Sequence, residues 1–313
     1  MPKVSAIITT WNRAVMLKRA IASVLAQSLE DFELIILDNS STDETEAVTR
    51  SFNDKRIRYV KHLLSAISKA RNIGITEARS DYVAFLDDDD EWLHEKLEKQ
   101  YRMFAADTSR RVGFVYGGYI HVEEESGHVF ETITPRLDGN VYEYAVRHRD
   151  TLTGSASNPM LRKSAVIAVG GYDEEVKTGE DYEMFLRLAR EYEFRFVKDA
   201  LLRIYVHRGY RLSHQLEPYL KTDLIVYGKH KDFIKRFPGT NSYFLQIIAG
   251  KCLRLGKKME AREYLKSAFR AYPWNPGVWL QFVLSFFPKV VYKFFHRVAV
   301  FLYLRMRQSV YYG

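Results

Sequence analysis

YVAFLDDDDEW, residues 82–92, carries a short apolar run directly into four consecutive aspartates. Four like charges repel and favour solvation, so a run of this kind ordinarily belongs to a loose acidic loop. Here it closes what reads as a buried strand, Tyr82–Asp87. Carboxylates fixed at the end of a strand suit a hard divalent cation, Mn²⁺ or Mg²⁺, of the kind that accompanies diphosphates.

Upstream of that strand, apolar runs of strand length alternate with helical patterns. KVSAIIT (Lys3–Thr9), FELIILD (Phe32–Asp38) and IRYV (Ile57–Val60) read as strands. AVMLKRAIASVLAQS places Leu17, Ile21, Val24 and Leu25 at helical spacing, AISKARNIGITEA reads as a helix, and EWLHEKLEKQYRMF as the helix after the aspartates. The alternation predicts an α/β fold with a mixed, mainly parallel sheet and flanking helices. Such sheets bind ligands beyond the carboxyl ends of their strands. Three short polar segments are expected there: Thr9–Arg13, Asp38–Asp43 and Asp87–Asp90. Asp43 suits a helix-capping role, and Asp90 is a candidate cap for the helix after the aspartates.

The middle of the chain is less regular. VGFVYGGYIHV (Val112–Val122) and FRFVKDALLRIYVHR (Phe194–Arg208) read as strands, and EEESGHV as a hairpin turn. GEDYEMFLRLARE reads as a helix with Tyr182, Phe185, Leu186 and Leu188 inward. From residue 213 the pattern is helical, so the expected domains are 1–212 and 213–313. The single cysteine, Cys252, excludes an intrachain disulfide and a cysteine-rich zinc site. The N-terminal MPKVSAIITTWNR lacks the pattern of a secretory signal.

Five blocks, SAIITTWNR, LDNSSTDET, ARNIGI, FLDDDDEW and GGYDEEVKTGEDYEMFLRLA, occur in an order and spacing that resembles the family-2 glycosyltransferases. The likeness spans roughly residues 3–210. It implies a GT-A nucleotide-sugar fold and an inverting, metal-dependent transfer of a sugar from a nucleotide diphosphate donor, a UDP-sugar first, to a hydroxyl of a glycan or lipid-linked acceptor. No Gln-x-x-Arg-Trp block of the processive synthases is present, which points to one sugar per encounter. A sugar-1-phosphate nucleotidyltransferase would carry a glycine-rich loop after the first strand, and TTWNRAV has none. An inactive membrane-bound scaffold with the same fold is the other alternative.

A donor of this class needs its base and ribose held, its diphosphate neutralised and the acceptor hydroxyl deprotonated. Asp38 can accept from a base N–H or a ribose hydroxyl, or close an Asx turn. Thr9 can contact the base, and Arg13 can reach phosphate or form a surface ion pair. Asp181 opens a helix and is the candidate general base, with Glu180 beside it for acceptor hydroxyls; helix capping is the plainer role for both. The resemblance assigns Asp38 and Arg71 to the nucleotide base and Asp87 to the sugar or ribose. It gives Asp89 to the metal, with His207 as a further metal or phosphate ligand. Asp88 points away or touches ribose. A helix-face salt bridge for Arg71 and a structural role for His207 are the alternatives.

The formal charge of +8 is concentrated at one end: from Lys251 onward there are twelve Lys or Arg and two Asp or Glu. The rest of the chain is close to neutral, which removes the case for a nucleic-acid partner. Between Val278 and Tyr312, aromatic and aliphatic residues interleave with Lys289, Lys293 and Arg297 at fourfold spacing. The pattern predicts a helix lying on an anionic membrane surface, and hence a peripheral protein on the cytoplasmic face. Packing of that helix on the protein's own core is the alternative.

Overall fold

The computed structural model describes residues 1–63, 66–149, 152–206 and 216–295. The chain forms two compact units, Met1–Tyr210 and Arg211–Gly313. In the first, β1 (Val4–Thr10), α1 (Ala14–Leu25), β2 (Phe32–Asp38), α2 (Thr45–Ser51), β3 (Ile57–Lys61), α3 (Ile67–Glu77) and β4 (Tyr82–Asp87) alternate. There follow β5 (Glu91–Trp92), α4 (Lys96–Ala105), β6 (Val112–Glu123), β7 (Val129–Ile133), α5 (Tyr142–His148), β8 (Met160–Arg162), α6 (Lys163–Ala168), α7 (Glu180–Glu191) and β9 (Glu193–Val206).

The strands make one mixed sheet in the order β3-β2-β1-β4-β8-β6-β9-β5, with β7 on β6. The first four are all parallel. β1, β2 and β4 are almost entirely buried, which is why they read as unbroken apolar runs. From β1 the chain moves outward to β2 and β3, then crosses back through α3 to β4 on the other side. Strand order therefore reverses between β1 and β4, and the crevice beyond such a switch point is where ligands settle. Thr9 lies opposite Asp87 and Thr10 opposite Asp38 in the ladder, so the three polar segments share one edge of the sheet.

Helix α3 lies close against this sheet because of Gly74. A β-carbon there would come within 2.8 Å of Ile7 and 3.0 Å of Leu37. The close approach brings Arg71, one turn earlier, down to the strand ends. Asp43 receives hydrogen bonds from the backbone N–H of Ala14 and from the N–H and hydroxyl of Thr45, the opening residues of α1 and α2.

Two local expectations are corrected. The segment after the aspartates is not yet helix: Glu91 and Trp92 pair with Arg203 and Leu202 of β9, and α4 starts only at Lys96. The Trp92 indole is buried and donates to the Ser157 carbonyl, a tertiary contact that outweighs the helical propensity of EWLHEKL. In α7, Tyr182 is only half-buried, while Glu183 is fully buried and paired with Arg187.

The second unit contains α8 (Leu216–Ile234), α9 (Pro238–Leu255), α10 (Lys258–Ala271) and α11 (Pro276–Leu284), around a core that includes Leu245, Ile248, Leu265, Val278 and Leu284. The expected continuous helix from Val278 is corrected too: α11 ends at Leu284, and Pro288 follows in a break before helical turns resume. Proline lacks the N–H and clashes with the preceding turn, so it divides the segment. Among the described residues no helix is long and apolar enough to cross a membrane.

Candidate active site

Asp87 to Asp90 form a tight turn closed by a bond from the Asp90 N–H to the Asp87 carbonyl, 3.1 Å. The turn sends the four side chains to different partners. Asp87 accepts from Arg71 at 3.1 Å. Asp88 is buried and accepts from the Thr10 hydroxyl at 2.8 Å and from Arg13 at 2.9 Å. Asp89 shares Arg13, at 3.0 Å, and is the more open of the two. Asp90 is not a helix cap; it is buried and accepts from the hydroxyls of Ser155 and Ser157 at 3.0 and 2.6 Å. Ser157 also receives the Asp87 N–H, at 2.9 Å, so one side chain fixes both ends of the turn.

Arg71 is 4% exposed and joins two elements far apart in sequence. One terminal nitrogen meets Asp87 and the other meets Glu180 at 2.5 Å. The guanidinium lies 5.3 Å from the ring centroid of Tyr172, whose hydroxyl is buried. Glu180 and Asp181 open α7 directly after Gly179, which sits at φ +70°, a backbone state that costs glycine nothing. The segment before the helix is fastened to α3: Asn72 exchanges bonds with the backbone of Tyr172, and Ser68 donates to the Val176 carbonyl. Glu180 is buried. Asp181 is half-exposed and has no hydrogen bond or ion pair among the described residues.

Burial governs the electrostatics. Desolvation pushes Asp88 up to about 6, against Arg13, which favours its ionised form. Desolvation also raises Glu180 to about 7, opposed by Arg71 and reinforced by Asp181. Asp87 and Asp90 are raised for the same first reason, Asp90 strongly. Among the described residues the site gathers six carboxylates, Asp87–Asp90, Glu180 and Asp181, and the guanidinium groups bonded to their side chains are those of Arg13 and Arg71.

That surplus of negative charge suits a divalent cation. No three His, Cys, Asp or Glu side chains converge on one point among the described residues. A site of one or two carboxylates completed by substrate phosphates is how Mg²⁺ is commonly held, so the donor set fits. Three buried polar atoms have no hydrogen-bond partner among the described residues: the Arg71 Nε and the Tyr172 hydroxyl, whose side chains lie together, and the hydroxyl of Thr153, two residues before Ser155.

The remaining anticipated residues sit as follows. Thr9 ends β1 opposite Asp87. Asp38 is fully enclosed, with one oxygen taken by the N–H and hydroxyl of Ser41 and the other by the Tyr59 hydroxyl. Arg71 forms buried bridges to Asp87 and Glu180 in place of a helix-face surface pair. His207 lies outside the described residues. Ser155, Ser157 and Tyr172 were not anticipated as site residues: GSASNP carries no periodicity or charge that would have marked its serines, and GGYDE, though part of a family-like block, gives no sign that its tyrosine packs on Arg71.

Residues 5–170 match Glycosyl transferase family 2. An uncharacterized glycosyltransferase of Rickettsia bellii is 29% identical over 188 residues, 60% of this chain, and the chain spans only 26% of that protein's length. The GalNAc(5)-diNAcBac-PP-undecaprenol beta-1,3-glucosyltransferase of Campylobacter jejuni is 26% identical over 278 residues, covering 86% of this chain and 81% of that one. The crystal structure of S. aureus TarS 1-349 in complex with UDP-GlcNAc aligns with a TM-score of 0.57 at 17% identity, covering 86% of this chain and 73% of that chain. At that identity the likeness concerns the fold alone.

Proposed function

The chain belongs to Glycosyl transferase family 2, and from that premise we propose that it is an inverting, non-processive transferase moving a sugar from a UDP-sugar to a hydroxyl of a glycan or lipid-linked acceptor. The observation that carries this reading is the Asp87–Arg71–Glu180 bridge, which ties the strand-end aspartates to the start of α7 and leaves Asp181 unpaired beside it. TarS was solved with UDP-GlcNAc and the Campylobacter relative is named for an undecaprenol-linked acceptor, which supports the choice of donor and acceptor class.

In this reading Thr9 and Asp87 hold the nucleoside and sugar at the switch point. Asp38 stiffens the loop beneath the base through Ser41 and Tyr59. Asp88 fixes Arg13, which faces the diphosphate, and Glu180, buried on Arg71, holds the start of α7 and with it Asp181. Asp89, with His207, would hold Mn²⁺ or Mg²⁺, which supplies neutralisation of charge on the diphosphate. The acceptor O–H gives its proton to the Asp181 carboxylate while an oxygen lone pair forms the bond to the anomeric carbon. The bond from that carbon to the diphosphate oxygen breaks, and its electron pair leaves with the nucleoside diphosphate. Attack opposite the leaving group inverts the anomeric configuration. In this reading the cationic, apolar C-terminal segment would hold the enzyme at the cytoplasmic face of an anionic membrane.

Asp181→Asn tests the assignment. It should leave UDP-sugar affinity within a few-fold of the parent and lower turnover about 10²–10⁴-fold, the usual effect of losing a general base. Turnover retained in this variant removes Asp181 from the mechanism.

A further inference from the structure

In the second unit, α11 buries Val278 and Leu284 against α9 and α10, and much of the rest of its surface is left bare. Trp279, Leu280 and Val283 stand outward there, and Phe286, Phe287 and Val290 extend the same apolar character past the end of the helix. Trp279, the most modestly exposed of the first three, is still 52% accessible, and Val290 is 77% accessible. Exposed apolar residues scattered singly need no explanation, but six within twelve positions form a patch.

The patch is built rigidly. Asn275 caps α11 by accepting from the Gly277 N–H and is itself tied to Gln246 of α9. The Trp279 indole donates to the Pro273 carbonyl and meets Phe269 edge to face. Arg262 donates to the carbonyl and hydroxyl of Ser285 and lies 4.1 Å from the Phe286 ring centroid. Tyr292 is buried in the core of the unit, so the chain beyond Pro288 is anchored too. Side chains held in this way lose little conformational entropy when something covers them.

Charge decides what the cover is. From Tyr264 to the end of the chain there are seven Lys or Arg and no Asp or Glu. Lys289 and Lys293 are exposed and adjoin Val290 and Phe294. A two-fold contact between copies of this chain would set identical cationic rims against each other, with no acidic side chain in the segment to relieve them. An anionic lipid surface accepts both parts: aromatic rings at the headgroup level and lysines at the phosphates.

We propose that Trp279, Leu280, Val283, Phe286, Phe287 and Val290 insert into the interface of an anionic bilayer, with Lys289 and Lys293 on the headgroups. This rests on the membrane placement in the proposed function and names the face responsible. It does not depend on the sugar chemistry, because vesicle binding is read without donor or acceptor.

The test is co-flotation of the full chain with phosphatidylglycerol-containing vesicles and with neutral phosphatidylcholine vesicles, in low and high salt. The expected result is binding to the anionic vesicles, partial release by salt, and at least tenfold weaker partition for Lys289→Glu/Lys293→Glu and for Phe286→Ser/Phe287→Ser. Circular dichroism melts of the same preparations, unchanged from the parent, show that the variants are folded. Lys289→Glu/Lys293→Glu lies wholly on exposed side chains and keeps the test valid if the phenylalanine pair unfolds. A parent chain that stays off anionic vesicles overturns the proposal. So does a charge-reversed variant that floats as the parent does, or a self-associated parent in sedimentation that the same substitutions dissociate.

Discussion

Replacing Arg71 by methionine keeps most of the side-chain volume and removes the only cation among the described residues that bridges Asp87 and Glu180. Taking one partner from a buried ion pair costs about 3–5 kcal/mol, because the stranded charge has lost both water and counter-ion. For a unit the size of Met1–Tyr210, each kcal/mol shifts the melting temperature by about 2–4 °C, so Arg71→Met should lower it by roughly 6–20 °C near pH 8. The pH dependence identifies the cause. Glu180 already has a folded-state pKa raised to about 7, above its ordinary 4.5. Between those values the folded state binds more protons than the unfolded one, so this group's contribution to stability falls as pH rises through the window. Without Arg71 the folded pKa rises further and the decline steepens. The deficit of the variant should therefore be largest near pH 8 and shrink towards pH 5, where a protonated Glu180 no longer needs the guanidinium. Circular dichroism melts of both chains at the two pH values measure this, and Arg71→Lys should recover part of the loss. A deficit of equal size at pH 5 and pH 8 would refute the account, since a packing defect has no reason to titrate.

Two further outcomes are expected. Asp89→Asn should weaken Mn²⁺-supported binding of UDP by at least tenfold in calorimetry, which is about 1.4 kcal/mol, and equal affinity of the parent chain in Mn²⁺ and in EDTA would reject the cation site. Asp43→Ala should lower stability by about 1 kcal/mol at pH 7 through loss of the cap on two helices. Burial works against the Asp43 charge, but its hydrogen bonds to Thr45 and Ala14 prevail and hold its pKa below the usual range. This contribution is therefore present at neutral pH and is lost as pH falls through that lowered value, so melts of Asp43→Ala and parent should converge in strong acid.

The parallel half of the sheet was legible because its strands are buried on both faces and spell unbroken apolar runs between helices. The mixed half, where β6 runs parallel to β9 but antiparallel to β7 and β8, was less so. β8 is three residues long, and the residues it pairs with in β4 and β6 lie more than forty positions away in sequence. Trp92 could not be read from its neighbours, since a strand of two residues exists only where β9 and Ser157 come to meet it. The aspartate run marked the polar end of β4, but nothing in it separates Asp88, tied to Thr10 and Arg13, from Asp90, tied to two serines over sixty residues away. In the C-terminal segment, periodicity showed that one side is apolar without showing that Val278, Leu284 and Tyr292 turn inward.

Glu180 and Asp181 illustrate how two adjacent carboxylates come to differ. Successive residues on an α-helix point about 100° apart, so only one of the pair can face into the protein at the first turn. Gly179 in its left-handed conformation fixes where the helix starts, and the bonds from Ser68 and Asn72 fix where that start lies relative to α3. Glu180 is the one turned inward, onto Arg71, and its burial raises its pKa and closes it to bulk solvent. Asp181 is the one left half-exposed, without a hydrogen bond that would have to break before it accepted a proton. An acceptor hydroxyl arriving from solvent can approach Asp181 at no cost to the Arg71 bridge, whereas approach to Glu180 would dismantle it. Access therefore favours the proposal of Asp181 as the general base, with Glu180, through Arg71, as the link by which the strand-end aspartates would hold that base in position.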